Sequence, residues 1–173
     1  MPLKLPVEDH LAPILEAGMQ EMGVEYSSEQ RDKLLAYLQL LITWNRAYNL
    51  TAIRDPGQMI KLHLLDSLTL LPYMIGKRLI DVGTGAGLPG IPLAIMCPDR
   101  HFTLLDSNGK KTRFLNHVKM TLKLTNVEVI QSRVEDHVGE FDLVMCRAFA
   151  SLVDIATGVS HLVREEGAVF AMK

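Results

Sequence analysis

Three glycines at alternate positions follow an acidic residue in the middle of this chain. Asp81 lies near the end of an apolar segment at 78–82 that has the pattern of a strand, and Gly83, Gly85 and Gly87 come next. Glycine adopts positive φ without strain and lets a ligand approach the backbone closely. Pro89 suits the first turn of a following helix, where a missing N–H costs nothing. The segment therefore predicts a loop that holds a nucleotide-like cofactor against a helix N-terminus.

Two kinds of cofactor fit such a loop. The spacing of Gly85, Gly87 and Gly90 matches the dinucleotide fingerprint G-x-G-x-x-G, but that fingerprint begins directly after its strand, where Gly83 stands here. From Gly83 the pattern is G-x-G-x-G with Asp81 two residues earlier, which is typical of S-adenosylmethionine (SAM) methyltransferases. An anionic Asp81 also suits the cationic amino and sulfonium groups of SAM. SAM is favoured, and NAD(P) or a glycine turn without a ligand are the alternatives.

Acidic residues also follow the second and third predicted strands. Asp106, with Ser107 beside it, stands about twenty residues after the glycine loop, where a carboxylate accepts hydrogen bonds from ribose hydroxyls. NAD and SAM both carry a ribose, so Asp106 indicates a nucleoside without choosing between them; capping of the next helix is an alternative role. Glu135 follows the third strand, where the loop of a SAM-binding fold borders the adenine. A solvated surface carboxylate is the alternative for Glu135.

The loop after the fourth predicted strand offers a cation but no acid–base pair. Arg147 presents a guanidinium that pairs with a carboxylate or a phosphate, so a cofactor carboxylate or an RNA phosphate is its candidate partner. An ordinary surface charge is the alternative. The stretch holds no Asn/Asp-Pro-Pro-aromatic motif, and no proline precedes Cys146. The absence of the first motif argues against methylation of an exocyclic amine, and the absence of the proline argues against methylation of a pyrimidine ring carbon.

A basic segment is the candidate contact with nucleic acid. Lys110, Lys111 and Arg113 begin a predicted helix at 110–123, and no acidic residue occurs between positions 107 and 127. Such a helix either contacts RNA phosphates or forms a solvated face.

One histidine and one aspartate are further candidates. His63 and Asp66 are one turn apart on a predicted helix and therefore share a face. In one interpretation, His63 and Asp66 line the cofactor or guanine pocket. In the other, they form a local pair that holds the helix onto the sheet.

The periodicity of the chain changes after about residue 75. The first part is helical, with Ser27 and Gln30 as a capping box and an apolar helix face at Met59, Leu62, Leu65 and Leu68. Short apolar strands then alternate with helices; the strands are expected at 78–82, 101–105, 127–131, 141–146 and 167–172, and the helices around 89–96, 110–123 and 151–163. The order predicts an α/β fold with a Rossmann-like, doubly wound, mostly parallel sheet. We expect a helical cap at 1–75 and a cofactor-binding core at 76–173.

Composition excludes several classes of protein. The chain has 173 residues, 48% of them hydrophobic, with a net charge of −2, which fits one globular domain rather than a disordered chain. No apolar run approaches the length of a membrane span, and the N-terminus lacks a secretory signal. We therefore expect a cytoplasmic protein that does not bind a membrane. Cys97 and Cys146 are far apart, which predicts reduced thiols and no metal site.

Six motifs together resemble one family closely. In chain order they are Trp44-Asn-Arg-Ala-Tyr-Asn-Leu-Thr51, His63-Leu-Leu-Asp66-Ser67, Asp81-Val-Gly-Thr-Gly-Ala-Gly-Leu-Pro-Gly90, Leu104-Leu-Asp-Ser107, Gln131-Ser-Arg-Val-Glu135 and Arg147-Ala-Phe-Ala-Ser151. From about residue 25 to the end, the chain resembles the RsmG (GidB) family of bacterial ribosomal RNA methyltransferases. Members of that family normally continue with a further strand pair, so we expect C-terminal strands to be missing from the sheet.

The resemblance implies a reaction, a substrate and a cofactor site. The implied reaction is SAM-dependent methylation of a guanine N7 in the 530 loop of 16S ribosomal RNA. We expect the partner to be 16S ribosomal RNA or the small ribosomal subunit, and the protein to be a monomer. The implied cofactor contacts are Gly83, Leu88, Val134, Glu135 and Arg147. Guanine N7 carries a lone pair and no proton at neutral pH, so we predict no catalytic base. An NAD(P)-dependent oxidoreductase and a non-catalytic nucleotide- and RNA-binding module are the alternatives.

Overall fold

A five-stranded parallel sheet forms the centre of the computed structural model, which describes residues 10–147 and 151–172. The strands are β1 (Arg78–Val82), β2 (His101–Asp106), β3 (Val127–Gln131), β4 (Phe141–Arg147) and β5 (Val163–Met172). Their order is β3-β2-β1-β4-β5, and every neighbouring pair is parallel. The direction of winding reverses between β1 and β4, and ligands of such sheets bind at the carboxyl ends of the strands near this switch point.

Helices cover both faces of the sheet, which confirms the doubly wound fold. The helices after the first two strands are α5 (Gly90–Met96) and α6 (Gly109–Leu122), and α7 (Leu152–Val159) follows β4. Neighbouring strand residues alternate between two hydrophobic cores: Leu79 belongs to the core that contains α5 and α6, whereas Ile80 packs in the core that contains α7. This alternation is the period-two pattern of a strand that is buried on both faces.

Two N-terminal helices share the first of these cores. They are α1 (Leu11–Glu21) and α2 (Ser28–Tyr48). Ser27 caps α2 as predicted, because its Oγ accepts a hydrogen bond from Gln30 N at 3.1 Å and the Gln30 side chain accepts one from Ser27 N at 2.9 Å. The buried side of α2 packs on α5 and α6. The helix ends at Asn49, which adopts a left-handed conformation with φ of 50°.

The predicted helix around 59–68 differs from a regular α-helix. It consists of α3 (Pro56–Met59), a π-helical segment at Ile60–Leu65 and α4 (Asp66–Leu68). The prediction that Leu62 lies on the buried face was wrong, because its side chain is 51% exposed. The i→i+5 hydrogen bonds of a π-helix widen the turn, so residues three apart, such as Met59 and Leu62, no longer share one face.

The last strand begins earlier than predicted. β5 starts at Val163 and pairs with β4 across an irregularity in register between Phe141 and Leu143. Within the residues that the structure describes, β5 is an edge of the sheet. No helix in this described part is both long enough and apolar enough to cross a membrane.

Candidate cofactor and substrate site

The glycine loop takes the conformation that its sequence predicts. Gly83, Gly85 and Gly87 have φ values of 65°, 60° and 92°, which side chains rarely tolerate. Pro89 directly precedes α5 as its N-cap instead of occupying the first turn. The loop thereby connects the carboxyl end of β1 to the N-terminus of a helix.

Asp81 anchors this loop at both ends. Its Oδ2 accepts hydrogen bonds from Thr84 Oγ1 at 2.7 Å and from Gly90 N at 2.9 Å. The residue is 1% exposed, and its Oδ1 is buried without a hydrogen-bond partner among the described residues. Burial raises the pKa of Asp81 to about 7, although the bonds from Thr84 and Gly90 and the nearby Arg147 act in the opposite direction.

Asp106 is tied to the same loop. Its Oδ2 accepts from Gly85 N at 2.9 Å and its Oδ1 accepts from Asn108 N at 2.8 Å. The idea that Asp106 caps the next helix was wrong, because Asn108 is the N-cap and accepts from Lys110 N and Lys111 N. Each carboxylate oxygen of Asp106 still has a lone pair for a further donor.

A cavity of about 270 Å³ lies beside Asp106. Five of the predicted cofactor residues line it: Gly83, Asp106, Ser107, Val134 and Glu135. Ser132 and Arg133 also line it; the sequence placed them in the loop after the third strand but gave them no role of their own. Sequence reasoning missed the apolar part of the lining, which Val82 and Leu105 form.

Other predicted cofactor residues lie outside this cavity lining. Gly85 donates its N–H to Asp106, and a side chain at Gly87 would collide with Ile91, since a Cβ there would come within 2.5 Å of Ile91 Cγ1. Leu88 is 4% exposed and belongs to the hydrophobic core. These residues shape the loop.

Arg147 lies at the switch point, at the carboxyl end of β4. Its charge lowers the pKa of His63 and opposes the rise in the pKa of Asp81. Its Nε and Nη2 atoms are buried and have no hydrogen-bond partner among the described residues. Arg147 is therefore not an ordinary surface charge. The three residues after it in its sequence motif, 148–150, lie outside the described residues.

His63 pairs with a threonine instead of with Asp66. It lies within the π-helical segment, is 5% exposed, and its Nε2 is 2.7 Å from Thr51 Oγ1. Asn45 of α2 holds this threonine, since its Oδ1 accepts from Thr51 N at 2.9 Å. Burial, together with the charge of Arg147, lowers the pKa of His63, which keeps the imidazole neutral. Asp66 is exposed at the start of α4.

Tyr37 is a contact to the glycine loop that sequence reasoning missed. Its hydroxyl donates to the carbonyl oxygen of Ala86 at 2.6 Å, and the side chain is fully buried. Burial raises the pKa of Tyr37 far above its ordinary value, so the hydroxyl keeps its proton and remains a donor. Tyr37 resembles any other apolar residue of α2 in the sequence, and 49 residues separate it from its partner.

The basic residues of α6 divide into two groups. Lys110 and Arg113 are exposed, whereas Lys111 is half-buried and turns toward the glycine loop. A Cβ placed on Gly85 would lie 4.0 Å from Lys111 Nζ. The positive charge of α6 therefore begins at the glycine loop and continues along the helix.

Solved structures of methyltransferases share this fold. A coclaurine N-methyltransferase bound to N-methylheliamine and S-adenosylhomocysteine (SAH) aligns with a TM-score of 0.56 and 14% identity, over 96% of this chain and 60% of that chain. A SAM-dependent methyltransferase from Thiobacillus denitrificans in complex with SAH aligns with a TM-score of 0.52 and 17% identity, over 74% of this chain and 52% of that chain. The fold is that of the class I SAM methyltransferases.

Sequence comparison defines the family within this class. A family model described as rRNA small subunit methyltransferase G matches residues 30–173. A relative from Ectopseudomonas mendocina, named ribosomal RNA small subunit methyltransferase G, is 54% identical over 168 residues, which are 95% of this chain and 78% of the relative. The chain belongs to the rRNA small subunit methyltransferase G family, which confirms the resemblance of its motifs.

The buried carboxyl of Asp81 predicts a pH-dependent stability. Its pKa is about 7 in the folded chain and about 3.9 in an unfolded one. Between these values the folded state binds more protons, so the free energy of unfolding decreases as pH rises, by on the order of 4 kcal/mol. Asp81→Asn keeps an acceptor oxygen and removes the ionisable group. Its free energy of unfolding, measured with urea between about pH 4 and about pH 7, should therefore change less with pH than that of the unchanged protein.

The exposed Asp136 provides the control for this measurement. Asp136→Asn should retain the pH dependence of the unchanged protein. Equal pH dependence in the unchanged protein and in Asp81→Asn would contradict the assignment.

The hydroxyl of Tyr37 predicts a second effect on stability. Tyr37→Phe leaves the buried Ala86 carbonyl without its donor, which should lower the free energy of unfolding by about 1–3 kcal/mol. Tyr26→Phe removes a hydroxyl from a half-buried ring and should lower the free energy of unfolding by less. If urea unfolding gives the two variants equal stability, the Tyr37 hydrogen bond does not hold the loop.

Proposed function

We propose that this chain transfers a methyl group from SAM to N7 of a guanine in the 530 loop of 16S ribosomal RNA. The observation that carries the proposal is the family match over residues 30–173, which spans the glycine loop, the cavity and α6. The positions of these three features at the carboxyl ends of the strands agree with it.

The cavity fits the adenosine part of SAM. Its polar rim includes the Asp106 carboxylate, whose free lone pairs suit two ribose hydroxyls, and its floor of Val82 and Leu105 suits an apolar ring. We assign the adenine edge to Val134 and Glu135, and we place Ser107 beside the ribose. When bound, SAM supplies an electrophilic methyl group on a sulfonium.

Buried polar atoms beyond the cavity fit the amino-acid end of the cofactor. The unpartnered N–H groups of Arg147 suit a carboxylate, and the unpartnered Oδ1 of Asp81 suits an ammonium group. A buried ionic group without a partner is costly, so a ligand with opposite charges would relieve both residues. Gly83, Gly85, Gly87 and Leu88 give the loop the shape that admits this ligand.

The protein needs to orient the guanine and has no proton to remove. The N7 lone pair would form the new bond to the methyl carbon as the bond from that carbon to the sulfonium breaks and SAH leaves with the electron pair. No base would be needed, so positioning and electrostatics would supply the rate enhancement. We place His63 in the guanine pocket, because it is buried, neutral and fixed by Thr51, and we place Asp66 at the rim of that pocket. Neither residue is assigned as a catalytic base.

RNA contact is assigned to the start of α6, where Lys110, Lys111 and Arg113 present positive charge next to the glycine loop. We further propose that the protein acts as a monomer in the bacterial cytoplasm, where small ribosomal subunits are assembled. Size-exclusion chromatography with light scattering checks the oligomeric state.

Calorimetric titration tests the cofactor assignment. SAH should bind saturably and NADH should not. Asp106→Ala should weaken SAH binding about 10- to 100-fold, because hydrogen bonds to a charged acceptor are lost. Asp106→Asn keeps an oxygen that accepts from Gly85 N–H. Its affinity for SAH should therefore lie between those of the unchanged protein and of Asp106→Ala. Glu140→Ala, an exposed carboxylate before β4, is the control and should bind normally. Binding of NADH alone would overturn the proposal.

A methylation assay tests the substrate. The chain should methylate small-subunit RNA, and mass spectrometry with chemical cleavage should place the methyl group on a guanine N7. The double reversal Lys110→Glu with Arg113→Glu should lower RNA affinity at least tenfold and reduce the salt dependence of binding, while SAH still binds.

The control for this assay is Lys33→Glu with Lys77→Glu, which changes the net charge equally outside α6 and removes two surface ion pairs, with Glu29 and Asp99. It should bind RNA like the unchanged protein. Absence of any modified guanine would reject the proposed reaction, whereas equal RNA affinity in both double variants would reject only the role of α6.

A further inference from the structure

An aromatic cluster lies where the end of α2 meets α6. The Trp44 ring lies 5.4 Å from Tyr48 and 5.2 Å from His117, measured between ring centroids. Beneath them is Phe114, fully buried and 5.5 Å from Trp44. Tyr48 is 40% exposed and His117 is also exposed. We refer to Trp44, Tyr48 and His117 as the aromatic ledge.

The ledge continues the basic side of α6. His117 lies four residues after Arg113, which lies three residues after Lys110, so the three side chains share one face of the helix. The distance along the axis from Lys110 to His117 is about 10 Å. A continuous track thus leads from the glycine loop past two cations to exposed rings.

Core packing alone does not account for this arrangement. Phe114 and one side of Trp44 complete the contact between α2 and α6, but Tyr48 and His117 leave much of their surface in solvent. Exposed aromatic rings bordered by cations of one sign are typical of surfaces that bind unpaired nucleotides, where rings stack on bases and cations hold phosphates. A duplex hides the faces of its bases and offers nothing to such rings.

We infer that the aromatic ledge stacks an unpaired nucleotide of the RNA substrate, a few nucleotides along the strand from the guanine that is methylated. Lys110 and Arg113 hold the intervening phosphates. The inference rests on the proposed function, because it requires RNA as the substrate, and it adds that the RNA on this surface is single-stranded.

Intrinsic tryptophan fluorescence can detect this contact. Trp44 is its one tryptophan, so its fluorescence reports directly on the ledge. Titration with a short single-stranded RNA should quench the fluorescence saturably. A blunt duplex of the same length and charge should bind more weakly and leave the fluorescence nearly unchanged. Equal quenching by the two RNAs would overturn the inference.

Variants at Tyr48 identify the stacking contribution. Tyr48→Ala should weaken single-stranded RNA binding about tenfold, consistent with the loss of one stacked base. Tyr48→Phe keeps the ring and should bind like the unchanged protein. The matched control is Tyr73→Ala, which removes a ring that is 60% exposed and packs against Phe170 at the other end of the sheet. Thermal unfolding of all three variants confirms that they fold.

The outcomes separate this inference from the proposed function. If Tyr48→Ala binds RNA as tightly as Tyr73→Ala does, the ledge is not a stacking surface, although methylation of RNA by the unchanged protein would leave the proposed function intact. If the unchanged protein binds no RNA and modifies no guanine, the proposed function fails and the inference fails with it. A tenfold loss in Tyr48→Ala alone, rescued in Tyr48→Phe, supports the inference.

Discussion

The carboxylate of Asp81 is the constraint on which the site depends. One of its oxygens accepts from Thr84 within the glycine loop and from Gly90 at the start of α5, so a single atom fixes both the turn and the helix that follows it. The fit leaves no space for a side chain at Gly90, where a Cβ would come within 2.8 Å of Asp81 Oδ2 and 2.3 Å of Leu104 Cδ2. Because both donors converge on a buried oxygen, a shift of either would leave a polar atom unsatisfied.

A second contact holds the loop from the opposite side. Tyr37 donates to the carbonyl of Ala86, which lies between Gly85 and Gly87, two residues with positive φ. The same helix, α2, carries Asn45, which fixes the loop of Thr51, and Trp44 of the aromatic ledge. One helix, α2, therefore contacts the glycine loop, the loop of Thr51 and α6. In the proposed function these contacts would couple RNA binding at α6 to the loop that shapes the cofactor site.

Local sequence determined most of the fold and half of the site. The bounds of β1 and β3, the capping box of α2 and the cavity residues after β1, β2 and β3 were predictable, because each depends on periodicity, turn chemistry or position after a strand. The Tyr37–Ala86 and Thr51–His63 contacts were not, since they join residues that only tertiary packing brings together. The exposure of Leu62 was not predicted for a related reason. A π-helical segment changes the helical period of the buried positions, and the residue types of that segment do not indicate the change.

Unpartnered polar atoms concentrate at the switch point between β1 and β4. Within the described residues they are Asp81 Oδ1, His63 Nδ1, and Nε and Nη2 of Arg147. Folding alone would select against this set, because each buried atom loses its hydrogen bonds to water without replacement. The charge of Arg147 acts on the pKa of Asp81, yet no hydrogen bond joins the two side chains within the described residues. The proposed partner of these atoms is the amino-acid end of SAM, because it carries both charges, whereas the pyrophosphate of a dinucleotide would pair with Arg147 but repel an ionised Asp81.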